Sequence, residues 1–571
     1  MSAATKNAFS PSAEMMRHGL SDGLIFAAFL FAGMVWVVFP YVTGDLVPGD
    51  IGDARLNRFI LEHFFQVVTG GAERFTEAPL FYPWIDTIAL GDTNWGTAPV
   101  YALLRLSSFD PEHAFAGWFA LGFVLNYLCA YVVFRLLALQ SLGAAAGAFL
   151  FSFGLPVIAQ DSHAQLLYRF CVPWAVWALY RYLDTRDARV SALIAVLVAF
   201  QLLLSFYIGV FLALLLAAYV VVIVLERRPF ASKAALLDTL RSLTPELPRG
   251  RGPVVTTAAL TFAAVAILLL VAAPYLQAVY LYHLGRHWPE IVTMLPRPFS
   301  YLRADRSHLW SWMSAHLNRV PMVHEHQIFF GLVPIACLGI VLVSWRLRAA
   351  DRLMRQSLYA LAILILLTLN LGGVSLYAWL APLPGLSAIR AVTRIVLVMI
   401  FPVALIMGRL LDLSWAARSR RPYLGAVALS TCLLLVIEAA LIDRSTSTIQ
   451  QWNQRLEALR AETPALIGAD NIIVVADQRA DPNWMREIDA MLLAQSLKAK
   501  TMNGYSGNAP PNWTPMETCS DIVRVIQAGE AFRKRHSDPN FKADISRIVP
   551  IGFGDCSGTF ARLGGYPPPP Q

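Results

Sequence analysis

Charged side chains are scarce in this chain: Asp, Glu, Lys and Arg make up 15% of its 571 residues, against 57% that are hydrophobic. That balance excludes a soluble globular protein of this length and puts most of the chain in lipid. Familiar catalytic devices are missing too. There is no glycine-rich phosphate loop, no nucleophile elbow and no paired-cysteine metal motif, which argues against a nucleotide-dependent cytoplasmic catalytic domain. No internal repeat and no long low-complexity segment stands out. A cleavable signal peptide is also lacking. The first apolar run, 24–42, is too long for a signal core and no small-residue cleavage site follows it, so it reads as a retained first span.

Cysteine is sparse, with six in the chain. Cys129, Cys171, Cys337 and Cys432 lie in apolar runs, where packing is their expected role. Cys519 and Cys556 lie in the polar C-terminal region and are the disulfide candidates if that region is extracytoplasmic. The formal net charge of +8 sits mainly in short loops between apolar runs. This distribution orients a membrane protein and is not a nucleic-acid footprint.

What is abundant is apolar sequence of spanning length. A helix needs about 20 apolar residues to cross a bilayer, which gives about eleven spans. They fall near 24–42, 114–137, 143–159, 166–183, 191–206, 209–225, 254–282, 328–345, 358–371, 395–411 and 424–441. The long run 191–225 is divided at Ser205-Phe206-Tyr207-Ile208-Gly209. Arg227, Arg228, Lys233, Arg241, Arg249 and Arg251 occupy one loop, Arg346, Arg348, Arg352 and Arg355 a second, and Arg418, Arg420 and Arg421 a third. The positive-inside rule makes that side cytoplasmic, with the N-terminus inside and the C-terminus outside. The expected fold is therefore a membrane all-α body, 24–442, after a cytoplasmic segment 1–23. A small extracytoplasmic α/β domain, 443–571, follows. Within that domain 471–476 reads as a buried strand, 485–498 as an amphipathic helix and 503–511 as a loop.

The first outer loop, 43–113, is too long for a plain connection. It opens with Asp45, Asp50 and Asp53, followed by a segment in which Leu56, Phe59, Ile60 and Phe64 recur at helical spacing. This suits an interfacial helix lying flat on the membrane, with Asp50 and Asp53 at its start. Either aspartate would serve as an N-cap; alternatively, a partly desolvated pair would act as a base or hold a divalent cation. On the same side, Arg390 and Arg394 are four apart, hence on one helix face, at a span entrance. Arg303 and Arg306 lie in a large loop and Arg169 near a span end. Arginine grips phosphate with parallel hydrogen bonds; the bland reading is interfacial anchoring or pairing with loop carboxylates. Asp161, His163 and Gln165 form a short polar connection that would line the same cavity as Asp50. His283 and His287 at i, i+4 spacing, with His324 and His326 at the next span entrance, are the metal-ligand candidates; ordinary interfacial polarity is the alternative. Nothing in the sequence requires a cofactor, and a divalent metal stays open.

Three motifs carry a resemblance. They are Gly49-Asp50-Ile51-Gly52-Asp53, Pro79-Leu80-Phe81-Tyr82-Pro83 in the same loop, and Leu383-Pro384-Gly385 followed by Arg390 and Arg394. With the architecture of 24–441, they resemble the GT-C superfamily of polytopic glycosyltransferases. The resemblance implies transfer of a hexosyl or pentosyl unit from a polyprenyl-phosphate carrier, at the outer face of a bacterial-type inner membrane. The acceptor, whether glycan, lipid or protein, is left open. It also implies a catalytic base in the first loop, hence Asp50 or Asp53. A non-catalytic polytopic protein, such as a transporter or an envelope assembly component, is the alternative. The scarcity of mid-span charge and the lack of a repeat weigh against transport.

Overall fold

The structure, a computed structural model, describes residues 19–228, 231–246, 249–465, 467–476 and 482–561. Residues 1–18 of the expected cytoplasmic segment and the closing proline run, 567–570, lie outside these. The chain is mostly helical. Each of the eleven expected spans has a helical counterpart. Among the described residues, seven helices are long and apolar enough to cross a membrane: α1 (Ser21–Val42), α4 (Pro111–Leu136), α5 (Ser141–Ile158), α8 (Phe206–Glu226), α10 (Arg251–Tyr282), α13 (Val392–Ser419) and α14 (Pro422–Ala440). Two shorter apolar helices, α7 (Ala188–Leu204) and α11 (Leu332–Val343), match two more. The remaining two, α6 (Cys171–Thr185) and α12 (Arg352–Thr368), carry charge in their terminal turns.

Local chemistry sets several boundaries. Asp110 caps α4 by accepting from the Glu112 and His113 amides, with Pro111 in the first turn. Ser205 is extended and separates α7 from α8 inside the expected break. Helix α5 is wholly buried at the centre of the body, against α13. Gly143 and Gly408 make this possible, because a Cβ on either would run into the facing backbone. By contrast α10 packs chiefly against α7 and leaves Phe262, Leu269, Leu276 and Tyr280 exposed, the surface of a helix at a lipid boundary.

The first outer loop holds β1 (Leu46–Pro48), α2 (Asp53–Val68) and α3 (Ala98–Leu106). Strand β1 pairs antiparallel with β2 (Thr446–Thr448), Leu46 opposite Thr448. This pairing ties the loop to the point where the body ends and the tail begins. The tail adds α15 (Ile449–Ala461), α16 (Asn483–Leu497) and α17 (Cys519–His536) around a parallel sheet ordered β4 (Lys500–Thr501), β3 (Ile472–Val475), β5 (Ile548–Ile551). Cys519 and Cys556 are joined in a disulfide.

One expectation is overturned here. The face of helix α2 expected on the membrane meets protein instead: Phe59 and Ile60 are buried in a core shared with Ile488, Met491 and Leu492 of the tail. Buried Arg55 pairs with Asp489 of α16 at 2.6 Å. The apolar spacing was correct for an amphipathic helix, but the face it buries meets protein. Helix α3 instead exposes Leu103 and Leu106.

Candidate active site

Asp53 stands at the first turn of α2, in the wall of a cavity of about 580 Å³. His163 donates to Asp53 Oδ2 through Nδ1 at 2.8 Å, and the Tyr505 hydroxyl donates to Oδ1 at 2.8 Å. The other ring nitrogen of His163 lies 3.4 Å from Glu325 Oε1. Glu325 accepts from Arg394 at 2.6 and 3.1 Å, and the Arg394 guanidinium lies over the Tyr207 ring. A continuous chain of alternating charge thus joins the first loop, the 161–165 connection, the 323–326 turn and the start of α13. The tail's Tyr505 closes one end.

The electrostatics follow from that chain. Burial pushes the Asp53 carboxyl up, but His163, the Tyr505 hydroxyl and Arg394 outweigh it and hold the group below its usual range. Glu325 is held well below its usual range in the same way: burial is outweighed by Arg394 and His163. Burial and Arg394 pull His163 down, yet hydrogen bonds to Asp53 and Glu325 prevail and raise it.

A second set of charges lines the cavity. Glu290 is shared by two arginines, Arg390 at 3.1 Å and Arg286 at 3.3 Å, and Arg286 also donates to the Gly507 carbonyl at 2.8 Å. One carboxylate between two guanidiniums leaves positive charge uncompensated. Burial and the adjacent Arg390 lower the Arg286 pKa accordingly. Asp92 is a further carboxylate in this cavity, and burial pushes it up to about 6. The sequence reading missed Asp92, Arg286, Glu325 and Tyr505. Gly91-Asp92 repeats the Gly-Asp doublet of Gly49-Asp50 and Gly52-Asp53, a signal that was available for the first of them.

Of the residues singled out from sequence, Asp53, His163, Gln165, Arg390, Arg394 and His324 line this cavity. The rest do not. Asp50 accepts from the Gly52 and Ala54 amides at 3.0 and 3.5 Å, in the turn that leads into α2, whose N-cap position is Gly52. Asp161 is buried, bound by Arg306 at 2.7 and 2.8 Å, by Tyr41 at 2.7 Å and by the Ser445 amide at 2.9 Å. Arg306 is thereby spent on a structural pair. Arg303 donates to the Asn318 carbonyl at 2.7 Å and faces Asp305. Arg169 is fully buried, stacked on Phe151 and donating to its carbonyl at 2.9 Å.

Two spacing arguments also fail. Arg390 and Arg394 do not share a helix face, because the chain is irregular at Arg390 and forms a 3-10 turn only from Val392. His283 and His287 likewise lie beyond the end of α10, in irregular chain. His326 has both ring nitrogens engaged, with Ser300 Oγ at 2.8 Å and the Thr293 carbonyl at 2.9 Å. Among the described residues no group of three or more His, Cys, Asp or Glu is placed to hold a metal ion.

The tail reaches the cavity through the loop after β4. Tyr505, Ser506, Gly507 and Asn508 line it. The Pro79–Pro83 segment runs beside that strand: the Phe81 and Tyr82 amides donate to the Asn503 and Thr501 carbonyls, each at 2.9 Å. Wall residues Leu268, Leu276 and Val279 come from the lipid-facing side of α10, so apolar surface continuous with the bilayer borders the charged interior.

No family model and no curated protein matches the chain. Solved structures do. The chain is similar to the archaeal oligosaccharyltransferase AglB from Archaeoglobus fulgidus in complex with an inhibitory peptide and a dolichol-phosphate, at 13% identity and TM-score 0.46, over 85% of this chain and 64% of that one. It is also similar to the arabinofuranosyltransferase AftD from Mycobacteria, at 13% identity and TM-score 0.44, over 80% of this chain and 29% of that one. The chain thus spans under two thirds of the archaeal enzyme's length and under a third of the mycobacterial one's.

Proposed function

We propose that this protein transfers a sugar from a polyprenyl-phosphate donor to an acceptor hydroxyl at the non-cytoplasmic face of a membrane. What supports this most is one feature: a single cavity, bordered by the lipid-facing side of α10, holds Asp53 together with Arg286, Arg390 and Arg394. A lipid-anchored phosphate suits such a place. Its chain stays among apolar side chains while its anionic group meets the uncompensated arginines. The tail's disulfide, on the side where the cavity lies, suits an oxidising compartment.

In the proposed reaction Asp53, kept ionised by His163, accepts the acceptor's hydroxyl proton at Oδ1, where the Tyr505 hydroxyl now sits. The acceptor oxygen bonds to the anomeric carbon as that carbon's bond to the phosphate oxygen breaks. The leaving polyprenyl phosphate carries the electron pair, and Arg390 with Arg286 stabilises the growing negative charge. Arg394 holds Glu325 and through it His163. The sugar is a hexose or pentose.

Mass spectrometry of lipid extracted with the purified protein tests the donor assignment. The expected result is a polyprenyl phosphate or its glycoside in the wild type and its depletion in Arg390→Gln. Recovery of bulk phospholipid alone, the same in both, would overturn it.

A further inference from the structure

The loop joining α12 to α13 has a composition that water does not explain. From Gln356 to Ile389 the chain has no Asp, Glu, Lys, Arg or His. Beyond the end of α12 the loop is held from inside by Tyr377, Leu386 and Ile389, all buried. Its outer side shows Leu371, Val374, Leu376, Trp379 and Leu383, with Trp379 82% and Val374 75% exposed. The tip is a tight turn in which Leu371 and Val374 exchange backbone hydrogen bonds around Gly372 and Gly373, both at positive φ. The apolar side chains are therefore presented on an ordered frame and are not the ragged exposure of a loose connection.

We infer that this loop is immersed in the leaflet on the cavity's side and forms the sill over which a lipid reaches the site. Two observations select hydrocarbon as its occupant. The exposed surface continues the lipid-facing surface of α12, where Leu366 is also exposed, so no polar rim separates it from the bilayer belt. The loop's other end enters the cavity: Gly385, Ser387, Ala388 and Arg390 line it, and the Arg286 amide donates to the Ser387 carbonyl at 3.2 Å. An element with one end at the arginines and the other in lipid connects the two. Trp379, with a polar N–H on an apolar ring, suits the headgroup boundary.

The inference rests on the chain spanning a membrane, not on the transfer chemistry, and its test is read without any turnover. Nitroxide labels are placed at Val374→Cys and Trp379→Cys in the full chain, in phosphatidylcholine–phosphatidylglycerol vesicles. The label at Phe262→Cys on α10 marks lipid and that at Asn540→Cys on the tail marks water. Labelled wild type supplies the background from native thiols. Both loop labels are expected to match the α10 label, relaxed by oxygen and with loss of access to a water-soluble nickel chelate. Nickel access like that of the tail label would overturn the inference. So would shielding from both reagents, which would mean a protein partner or a second copy covers the loop. Should Trp379→Cys not fold, the Val374 label at the tip decides alone.

Discussion

Asp50 and Asp53 are three residues apart and do different things. Asp50 accepts the Gly52 and Ala54 amides where the chain turns into α2, so Asp50→Asn is expected to keep transfer activity, and Asp50→Ala to cost about 1 kcal/mol, the net worth of such a hydrogen bond. Asp53→Asn is expected to abolish transfer while the protein still folds, which an activity assay beside a thermal-melt control checks. Tyr505→Phe removes the group that occupies Asp53 Oδ1, so the acceptor's KM should fall with kcat little changed. Glu325 neutralises buried Arg394; Glu325→Ala strands that charge and should cost about 3–5 kcal/mol, read as a lowered Tm in detergent. The His163 linkage has a definite sign. Its pKa is raised in the fold, so its stabilisation is complete below the unfolded value of about 6.5 and is lost as pH rises through the folded value. The Tm gap between wild type and His163→Gln should therefore be widest near pH 6 and close on the alkaline side; a gap that widens with pH would refute the assignment. Sequence showed that acids and arginines crowd one side. It did not show which were already paired, because Arg306 finds Asp161 across 145 residues, and no local pattern encodes such a match.

At the scale of elements, close approaches decide where the site's parts sit. Gly504 faces the Phe81 ring so tightly that a Cβ would collide with it. Gly504→Val should push the loop after β4 out of the cavity and lower transfer sharply while far-ultraviolet circular dichroism stays that of the wild type. Gly209 meets the Leu202 backbone across the Ser205 break, where a Cβ would come within 2.6 Å, so Gly209→Leu should destabilise the α7–α8 hairpin and the whole body with it. These elements were largely legible. Apolar length marked the spans, small and aromatic residues marked the break at 205–209, a short continuous apolar run marked the tail strand and amphipathic spacing its helix. What α2 packs against was not legible, because helical spacing reports that a face is buried and is silent on whether lipid or protein covers it. Arg390 and Arg394 show the complementary failure: an i, i+4 interval means a shared face only where the chain is helical.

For the whole molecule, the arrangement is a helical body whose buried centre, α5 against α13, fixes a charged cavity at one end, with a small α/β tail pinned over it by β1–β2 pairing and by Arg55–Asp489. Lipid-facing α10 and the apolar 369–389 loop border that cavity, which under the proposed function gives a lipid-borne donor its approach from the bilayer. That the first loop and distant arginines converge could be anticipated from the positive-inside expectation that puts them on one side; the hydrogen-bonded chain from Tyr505 to Arg394 exists only in three dimensions. The account stands or falls on whether Asp53 is the group on which transfer depends. The direct measurement is transfer of sugar from membrane-extracted polyprenyl-phosphate glycosides to endogenous acceptor, by purified wild type, Asp50→Asn and Asp53→Asn reconstituted at equal amounts. The account predicts product with the first two and none with the third; equal product from all three would contradict it.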